Sequence, residues 1–473
     1  MLFPSFAFLL FLPLVYWLYW YVFPSRLRVQ NAFMLLASFV FYGWWDWRFL
    51  SLLIFSSFAD FFIGWALANT TTASKRKAYV WLSLVINLGL LATFKYFNFF
   101  VDGLSDILLT FGMQPDFPTV GILLPIGISF YTFQSLSYSI DVYRGQIKPT
   151  HNGVAFLAFV SFFPQLVAGP IERAASLLPQ FLAPRTFDVE QAKDGLRQML
   201  WGFFKKIVVA DGCASIVNGI FEGDVQQTPG VTLFFGAFFF AFQIYGDFSG
   251  YSDIAIGCAR LFGFKLSRNF AYPYFSRNIT EFWRRWHISL STWFRDYVYV
   301  PLGGWRTKTG RFRNIMITFG VSGLWHGANW TFVTWGILHG LYYIPDIFRN
   351  AKASRNEPTL KDWPQMVTTF LLVLVAWVFF RSSSVHTAVA YLYYSVANIT
   401  MSPGAVLVWT FRSEMAWILL MLLVEWFARK QEHALRVMPA AMALRWAIYL
   451  LITIEIMLHT DLQTSHEFIY FQF

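Results

Sequence analysis

Apolar runs follow one another along this chain, and no other feature restricts its fold as strongly. They lie at about residues 3–23, 31–45, 49–68, 79–99, 120–140, 152–171, 230–263, 314–345, 365–380, 385–399, 413–428 and 444–459. With 57% hydrophobic and only 13% charged residues, the chain is too apolar for a soluble domain. Because several runs approach the ~20 residues that span a bilayer, the sequence predicts an all-α polytopic membrane protein with about eleven transmembrane helices.

The organisation of the chain favours one membrane domain over residues 1–473, since no repeat period and no long polar linker separates its apolar runs. Basic residues follow the first run at Arg26 and Arg28. The positive-inside bias then predicts an N-terminus outside the cytoplasm, and the run lacks the features of a cleaved signal peptide. Cys213 and Cys258 have no partner at ligand spacing, which argues against a disulfide framework and against a metal site.

Charge is concentrated between Arg260 and Arg313, where eleven Lys and Arg residues stand against two acids. This segment is predicted to face the cytoplasm. Basic cytoplasmic loops commonly hold the orientation of a membrane protein and contact anionic lipid, which alone accounts for most of these arginines. A sharper interpretation is that some of them bind the phosphates of a coenzyme or carrier by charge-assisted hydrogen bonds. No nucleic-acid partner is expected.

Within this basic segment, residues 282–297 (FWRRWHISLSTWFRDY) have the period of an amphipathic, interfacial helix. One face is aromatic and aliphatic, and the other carries Arg284, His287, Ser291 and Arg295. On this helix His287 is either a polar residue at the lipid headgroups or part of the lining of a cavity.

A second candidate region, Ser322–Gly340 (SGLWHGANWTFVTWGILHG), sets polar residues among tryptophans and aliphatics. On a continuous helix Ser322, His326 and Asn329 share one face, next to Trp325 and several glycines. An ionisable group at such depth marks a substrate path, a proton relay or a catalytic centre, although a neutral histidine can also tie two helices together.

A further histidine, His339, would lie ~20 Å from His326 along that helix, so the two are not expected to share a site. Gly336 and Gly340 flank His339 in a GxxxG pair, which favours helix packing there.

The chemistry left to a buried histidine is general-base catalysis. The sequence contains no GxSxG, GxxxxGK[ST], GxGxxG or HExxH motif. A neutral imidazole can take a proton from an alcohol that attacks an acyl group. These residues therefore favour acyl transfer to a hydroxyl inside the membrane.

Long motifs in the chain resemble the membrane-bound O-acyltransferase family. They include WHGANWTFVTWGILHG, FWRRWHISLSTWFRDYVYVPLGG and a pair of histidines 39 residues apart. LPIGISFYTFQSLSYSIDVYRG, FVSFFPQLVAGPIERA, QIYGDFSGYSDIAIGCARLFGF and the closing EFIYFQF resemble its bacterial alginate O-acetyltransferase branch. The motif-bearing core covers about residues 120–345.

The resemblance implies a ring of helices, with re-entrant and interfacial helices, around a central tunnel. It places the essential histidine of the family at His326 and its second polar residue at His287, and both are expected to be catalytic. Substrate binding is expected from Ser322, Trp325, Asn329, Arg284, Ser291 and Arg295.

The resemblance also implies partners and a location. The donor would be acetyl-CoA or another cytoplasmic acetyl donor, with no permanently bound cofactor and no metal. A separate periplasmic acetyltransferase of the SGNH type would pass the acetyl group to an extracytoplasmic polysaccharide such as an alginate-like exopolysaccharide or peptidoglycan. The protein would lie in the bacterial cytoplasmic (inner) membrane, and the acceptor glycan is not identified by the sequence.

Two other functions remain open on the residues alone. A transporter or flippase for lipid-linked sugars could use Asp247, Asp253 and His326 as a proton relay. A glycan polymerase would need Asp247 and Asp253 to pair, which their spacing opposes unless the helix breaks near Gly250.

Overall fold

The computed structural model describes residues 1–23, 26–113, 117, 123–167, 169–304, 308–348, 356–402, 405–460 and 468–469. Throughout these residues the secondary structure is helical, with no β-strand. The predicted all-α class is confirmed, whereas the count of eleven spans is not. In the described part of the chain, five helical stretches are long and apolar enough to cross a bilayer, at Leu27–Ala68, Ala73–Thr110, Gly230–Leu261, Leu360–Arg381 and Met442–His459.

The chain groups into two compact units, one formed by residues 1–192 and 258–266 and the other by residues 193–257 and 267–473. Each unit is described separately below. That residues 1–473 act as one membrane domain stays a prediction.

The first unit is a bundle of apolar helices joined by buried polar contacts. The carboxylate of Asp60 accepts hydrogen bonds from Ser83 (2.5 Å), Ser139 (2.5 Å) and Asn87 (2.6 Å). Such interhelical hydrogen bonds satisfy polar groups that lipid cannot. The helices of this unit are α1 (Phe6–Trp17), α2 (Leu27–Asp46), α3 (Leu50–Ala68), α4 (Ala73–Leu91), α5 (Phe97–Thr110), α6 (Ile128–Tyr143), α7 (Gly153–Val160), α8 (Phe163–Leu166) and α9 (Ala174–Leu182).

The second unit carries most of the motifs singled out above. Its helices are α10 (Val189–Phe203, which begins in the first unit), α11 (Asp211–Phe221), α12 (Gly230–Leu261, which ends in the first unit), α13 (Ile279–Arg285), α14 (Ile288–Phe294), α15 (Lys308–His326), α16 (Trp330–Tyr342), α17 (Ile344–Phe348), α18 (Trp363–Arg381), α19 (Val385–Ala397), α20 (Ala405–Phe427) and α21 (Met442–His459).

Short π-helical and 3-10 segments join or extend these helices. The π-helical segments are Leu18–Val22, Ala92–Tyr96, Phe204–Ala210 and Arg295–Tyr299, and the 3-10 segments are Trp47–Phe49, Pro273–Phe275 and Leu360–Asp362.

Two carboxylates of α12 are held in ion pairs with buried lysines. Asp253 pairs with Lys205 at 2.6 Å and Asp247 with Lys206 at 2.7 Å, and Asp247 also accepts the backbone N–H of Ile469 at 2.7 Å. The helix runs through residues 247–253 without a break. Asp247 and Asp253 therefore do not pair with each other, and each has a lysine partner that stabilises the folded helix bundle.

Candidate active site

The polar motif at residues 322–340 forms a helical hairpin, so the prediction of one continuous helix is wrong. Helix α15 ends at His326 and α16 begins at Trp330. The two helices pack closely, since a Cβ atom added to Gly323 would lie 2.2 Å from the carbonyl oxygen of Phe332. Only bare backbone allows this approach.

Asn329 begins the second helix of the hairpin. Its backbone is extended (φ −149°), and its Oδ1 accepts the N–H of Thr331 at 2.9 Å, as an N-cap residue does. Its Nδ2 donates to the carbonyl of Ser383 at 3.0 Å. Asn329 therefore does not extend the Ser322–His326 face of α15, and the predicted three-residue polar face is corrected to two residues.

His326 lies at the end of α15 inside a cluster of aromatic rings. Its side chain is 4% exposed. Its ring centroid lies 4.9 Å from Trp325, 4.9 Å from Trp335 and 5.4 Å from Phe380. This apolar surrounding disfavours a charged imidazolium and suits a neutral histidine that takes up a proton only during a reaction.

His339 also contacts Trp335, with 4.9 Å between the two ring centroids, as His326 does. The expected separation of ~20 Å from His326 is therefore wrong, because that distance assumed one straight helix. The Nδ1 atom of His339 accepts a hydrogen bond from Nε1 of Trp283 at 3.2 Å. His339 thus joins the hairpin to α13.

The predicted amphipathic helix at residues 282–297 is also interrupted. Helix α13 ends at Arg285, α14 begins at Ile288, and His287 between them has the left-handed backbone angles φ 42° and ψ 56°. Left-handed backbone is uncommon for residues other than glycine and marks a position that surrounding contacts hold in place. His287 is fully buried, and it does not share a helix face with Arg284 and Ser291.

Both histidines of the family motifs contact Trp325. The ring centroid of Trp325 lies 4.9 Å from that of His326 and 6.3 Å from that of His287. The tertiary structure thus brings together two histidines that the sequence separates by 39 residues. Their catalytic roles stay predictions.

A cavity of about 520 Å³ lies beside these histidines on the same elements. Its lining includes Arg284, Ser291, Arg295 and Ser322, which the sequence analysis had assigned to substrate binding. Its apolar wall comes from Trp283, Leu290, Phe294, Tyr299, Ile315 and Phe319. The described residues that line it include neither histidine, but its lining residues Ile288 and Ser322 lie close in the chain to His287 and His326.

The arginines near the cavity differ in the ion pairs that they form. Glu281 binds Arg277 at 2.9 Å and Arg285 at 3.0 Å, and Arg285 also binds Glu357 at 3.0 Å. Burial raises the pKa of the Glu281 carboxyl, but hydrogen bonds from Arg277 outweigh it, so this pKa lies below its ordinary value. Glu281 is therefore a stable anion that neutralises its neighbours.

The two arginines of the cavity wall differ in their partners. Arg295 pairs with Asp296 at 2.6 Å. Arg284 makes no ion pair with any other residue that the structure describes, and it is exposed. Arg284 therefore keeps its full charge available to an anionic ligand.

Several residues of the site carried no signal in the sequence. Asn269 binds Nδ1 of His287 from an irregular segment 18 residues upstream. Trp335 and Phe380 enclose His326, and Trp335 was read only as one of many tryptophans. No group of three or more His, Cys, Asp or Glu side chains able to hold a metal ion occurs among the described residues.

Comparison with known proteins agrees with these motifs. The family model for MBOAT, the membrane-bound O-acyltransferase family, matches residues 146–349. The chain is 44% identical over 392 residues to a protein of Pseudomonas aeruginosa named "Probable alginate O-acetylase AlgI", which covers 82% of this chain and 73% of that protein. It is 34% identical over 388 residues to a "Peptidoglycan O-acetyltransferase" of Helicobacter pylori, which covers 76% of this chain and 72% of that one.

A more distant relative is the "Teichoic acid D-alanyltransferase" of Streptococcus thermophilus, which is 31% identical over 262 residues, 51% of this chain and 62% of that protein. The acetylating relatives therefore match more of the chain, and with higher identity, than the alanylating one. Together with the helical fold, these matches show that the chain belongs to the membrane-bound O-acyltransferase family and is a multi-pass membrane O-acetyltransferase.

Proposed function

We propose that this protein takes acetyl groups from acetyl-CoA or a similar cytoplasmic donor and passes them across the inner membrane for O-acetylation of an extracytoplasmic polysaccharide. Two observations support it most directly. Two buried histidines contact the same tryptophan, and a cavity on the same helices carries Arg284, which forms no ion pair with the residues that the structure describes. Two of its relatives are named a probable alginate O-acetylase and a peptidoglycan O-acetyltransferase. The acceptor is a polysaccharide of that kind.

The donor binds in the cavity of about 520 Å³. Arg284 supplies the charge for a phosphate of the donor, and the aromatic wall takes its uncharged arm. The donor itself does not cross the membrane, because even one charge at the bilayer centre costs at least ~2.5 to 3.5 kcal/mol. Only the acetyl group crosses, which fits a site reached from both sides.

His326 acts as the general base of the transfer. His326 takes the proton of the attacking hydroxyl while the hydroxyl oxygen bonds to the acetyl carbon and the thioester C–S bond breaks. The coenzyme A thiolate leaves and takes up that proton from His326, so the products are the acetyl ester and coenzyme A. We propose direct transfer, without an acetyl-enzyme. The immediate acceptor is a hydroxyl of a glycan or of a separate periplasmic SGNH-type acetyltransferase.

The purified protein in lipid nanodiscs, supplied with radiolabelled acetyl-CoA and a mannuronate oligosaccharide, tests this function. We expect release of coenzyme A and label in the oligosaccharide, and loss of both in His326→Ala at normal protein abundance. Removal of a general base typically lowers a rate by ~10² to 10⁴. Turnover by His326→Ala at the wild-type rate would show that the base is elsewhere, and an absence of acetyl turnover by the wild type would contradict the proposed donor or acceptor.

The direct route has its own test. The protein is incubated with labelled acetyl-CoA and no acceptor, and mass spectrometry then searches for an acetyl adduct on His326 or Ser322. Direct transfer predicts no stoichiometric adduct. A kinetically competent adduct on either residue would replace it with a two-step mechanism.

A further inference from the structure

Asn269 is the centre of a buried hydrogen-bond cluster that holds His287. Both residues are fully buried. The Oδ1 atom of Asn269 lies 3.0 Å from Nδ1 of His287, 3.0 Å from Oγ of Ser289 and 3.3 Å from the backbone N of Ser289. Its Nδ2 donates to Oγ of Ser252 at 3.1 Å.

The orientation of the Asn269 amide follows from these partners. A backbone N–H can only donate, so the Asn269 atom that faces Ser289 is the oxygen. An amide oxygen can only accept, so Nδ1 of His287 must carry the hydrogen of this contact. The neutral imidazole of His287 then has its lone pair on Nε2.

That Nε2 atom is buried and has no hydrogen-bond partner among the residues that the structure describes. Aromatic rings flank the imidazole, with Phe248 at 4.6 Å and Trp325 at 6.3 Å between ring centroids. A buried polar atom in such a place needs a hydrogen-bond partner, because a buried acceptor without a hydrogen bond costs about 1 to 3 kcal/mol of folding free energy. The left-handed backbone of His287 is a second, independent sign that the surrounding structure fixes this residue.

This tautomer restricts which chemical groups can form a hydrogen bond with Nε2 of His287. An Nε2 lone pair accepts a hydrogen bond and cannot donate one to a phosphate or to a thioester carbonyl, which are themselves acceptors. A hydroxyl group can donate to it. We infer that Asn269 is a positioning residue that fixes His287 as the Nδ1–H tautomer, so that Nε2 of His287 accepts a hydrogen bond from a second hydroxyl of the acetyl acceptor, next to the one that His326 deprotonates.

This inference rests on the proposed function and assigns the two substrates to different residues. The donor contacts Arg284 in the cavity, and a second hydroxyl of the acceptor contacts His287. It also differs from the continuous helix that the sequence predicts, on which His287 would share one face with Arg284 and Ser291.

Steady-state kinetics in nanodiscs test the assignment, with acetyl-CoA as donor and a mannuronate oligosaccharide as acceptor. Asn269→Ala frees the imidazole to change tautomer, so we expect kcat to fall roughly 10- to 100-fold and the acceptor KM to rise, while the donor KM stays within about twofold. Asn269→Asp keeps an acceptor oxygen at the same place, so most of the activity should return. Ser252→Ala leaves the contact between Asn269 and His287 in place, so its loss of kcat should be smaller than that of Asn269→Ala.

A second variant keeps the test decisive if Asn269→Ala does not accumulate in the membrane. His287→Asn tolerates left-handed backbone and keeps a donor for Asn269, but it has no atom at the Nε2 position. It should also raise the acceptor KM and spare the donor KM. A wild-type acceptor KM in both His287→Asn and Asn269→Ala, or a rise confined to the donor KM, would overturn the inference.

The assay separates this inference from the proposed function. If the wild-type protein transfers no acetyl group to the oligosaccharide, either alone or with its SGNH-type partner, the proposed function is wrong. If the wild type is active and Asn269→Asp is no better than Asn269→Ala, the positioning role of Asn269 is wrong.

Discussion

Arginines that are neighbours in the sequence have different surroundings in the structure. Arg285 and Arg277 are neutralised by Glu281, whereas Arg284 stands in the cavity wall with no ion pair among the described residues. The interpretation that basic residues hold the orientation of the protein in the membrane fits Arg285 and Arg277. The phosphate-binding interpretation applies best to Arg284, because an unpaired guanidinium binds phosphate without first giving up a carboxylate.

Replacing Arg284 with glutamine should raise the donor KM about 10-fold and leave kcat nearly unchanged, because a contact made equally in the ground state and the transition state is lost. Arg295→Gln is the control, since Asp296 already neutralises Arg295. Its effect on the donor KM should be smaller. Donor titrations of the purified variants measure the donor KM of each. Equal effects of the two substitutions on the donor KM would contradict a specific role of Arg284 in donor binding.

We expect Asn329 to stabilise the hairpin and to take no direct part in the acetyl transfer. Asn329→Ala removes the N-cap of α16, which typically costs about 0.5 to 2 kcal/mol. We expect a lower melting temperature with a turnover per folded molecule close to that of the wild type. Asn329→Ser should keep most of the cap and the melting temperature. A collapse of kcat in a folded Asn329→Ala protein would instead place this side chain in the reaction.

At the scale of elements, two breaks in predicted helices create the site. One break places His287 between α13 and α14, and the other turns the chain at Gly327 so that α16 packs against α15. Both motifs have a helical period, so the breaks were not visible in hydrophobic spacing. Each break has the same effect, because it places one histidine in the aromatic cluster around Trp325.

The hairpin depends on a glycine at its contact. A Cβ atom added to Gly336 would lie 2.2 Å from the carbonyl oxygen of Phe319, whereas one added to Gly320 would meet nothing within 4 Å. Gly336→Ala should therefore lower the melting temperature and the acetylation rate. Gly320→Ala should be neutral or stabilising by up to about 1 kcal/mol, because alanine favours helix. Thermal unfolding of both variants in detergent compares them, and equal melting temperatures would contradict the close packing.

At the scale of the whole molecule, orientation in the membrane follows from charge. The N-terminus is predicted to lie outside, so residue 48 should face the periplasm while residues 72 and 284 face the cytoplasm. Single cysteines at Arg48, Thr72 and Arg284 can be labelled in intact cells with a membrane-impermeant maleimide. Cys213 and Cys258 are buried, so they should add little background. Labelling of Thr72→Cys but not of Arg48→Cys in intact cells would show that the protein has the opposite orientation in the membrane.

The sequence alone determined the fold class, the membrane setting and the family, because all three depend on properties that the chain carries locally. Apolar runs of spanning length specify helices in lipid, where backbone groups must bond internally. The long motifs around His287 and His326 were enough to identify an O-acyltransferase.

The tertiary structure alone decided how the site is assembled. The contact between Asn269 and His287, the enclosure of His326 by Trp335 and Phe380, and the neutralisation of Arg285 by Glu281 all join residues that separate elements or breaks in a helix bring together. Periodicity assumes that a helix continues, and it holds no information about where packing makes a break favourable. That is why the sequence singled out both histidines, whereas the structure corrects the predicted helix faces of His287 and Asn329 and the predicted distance between His339 and His326.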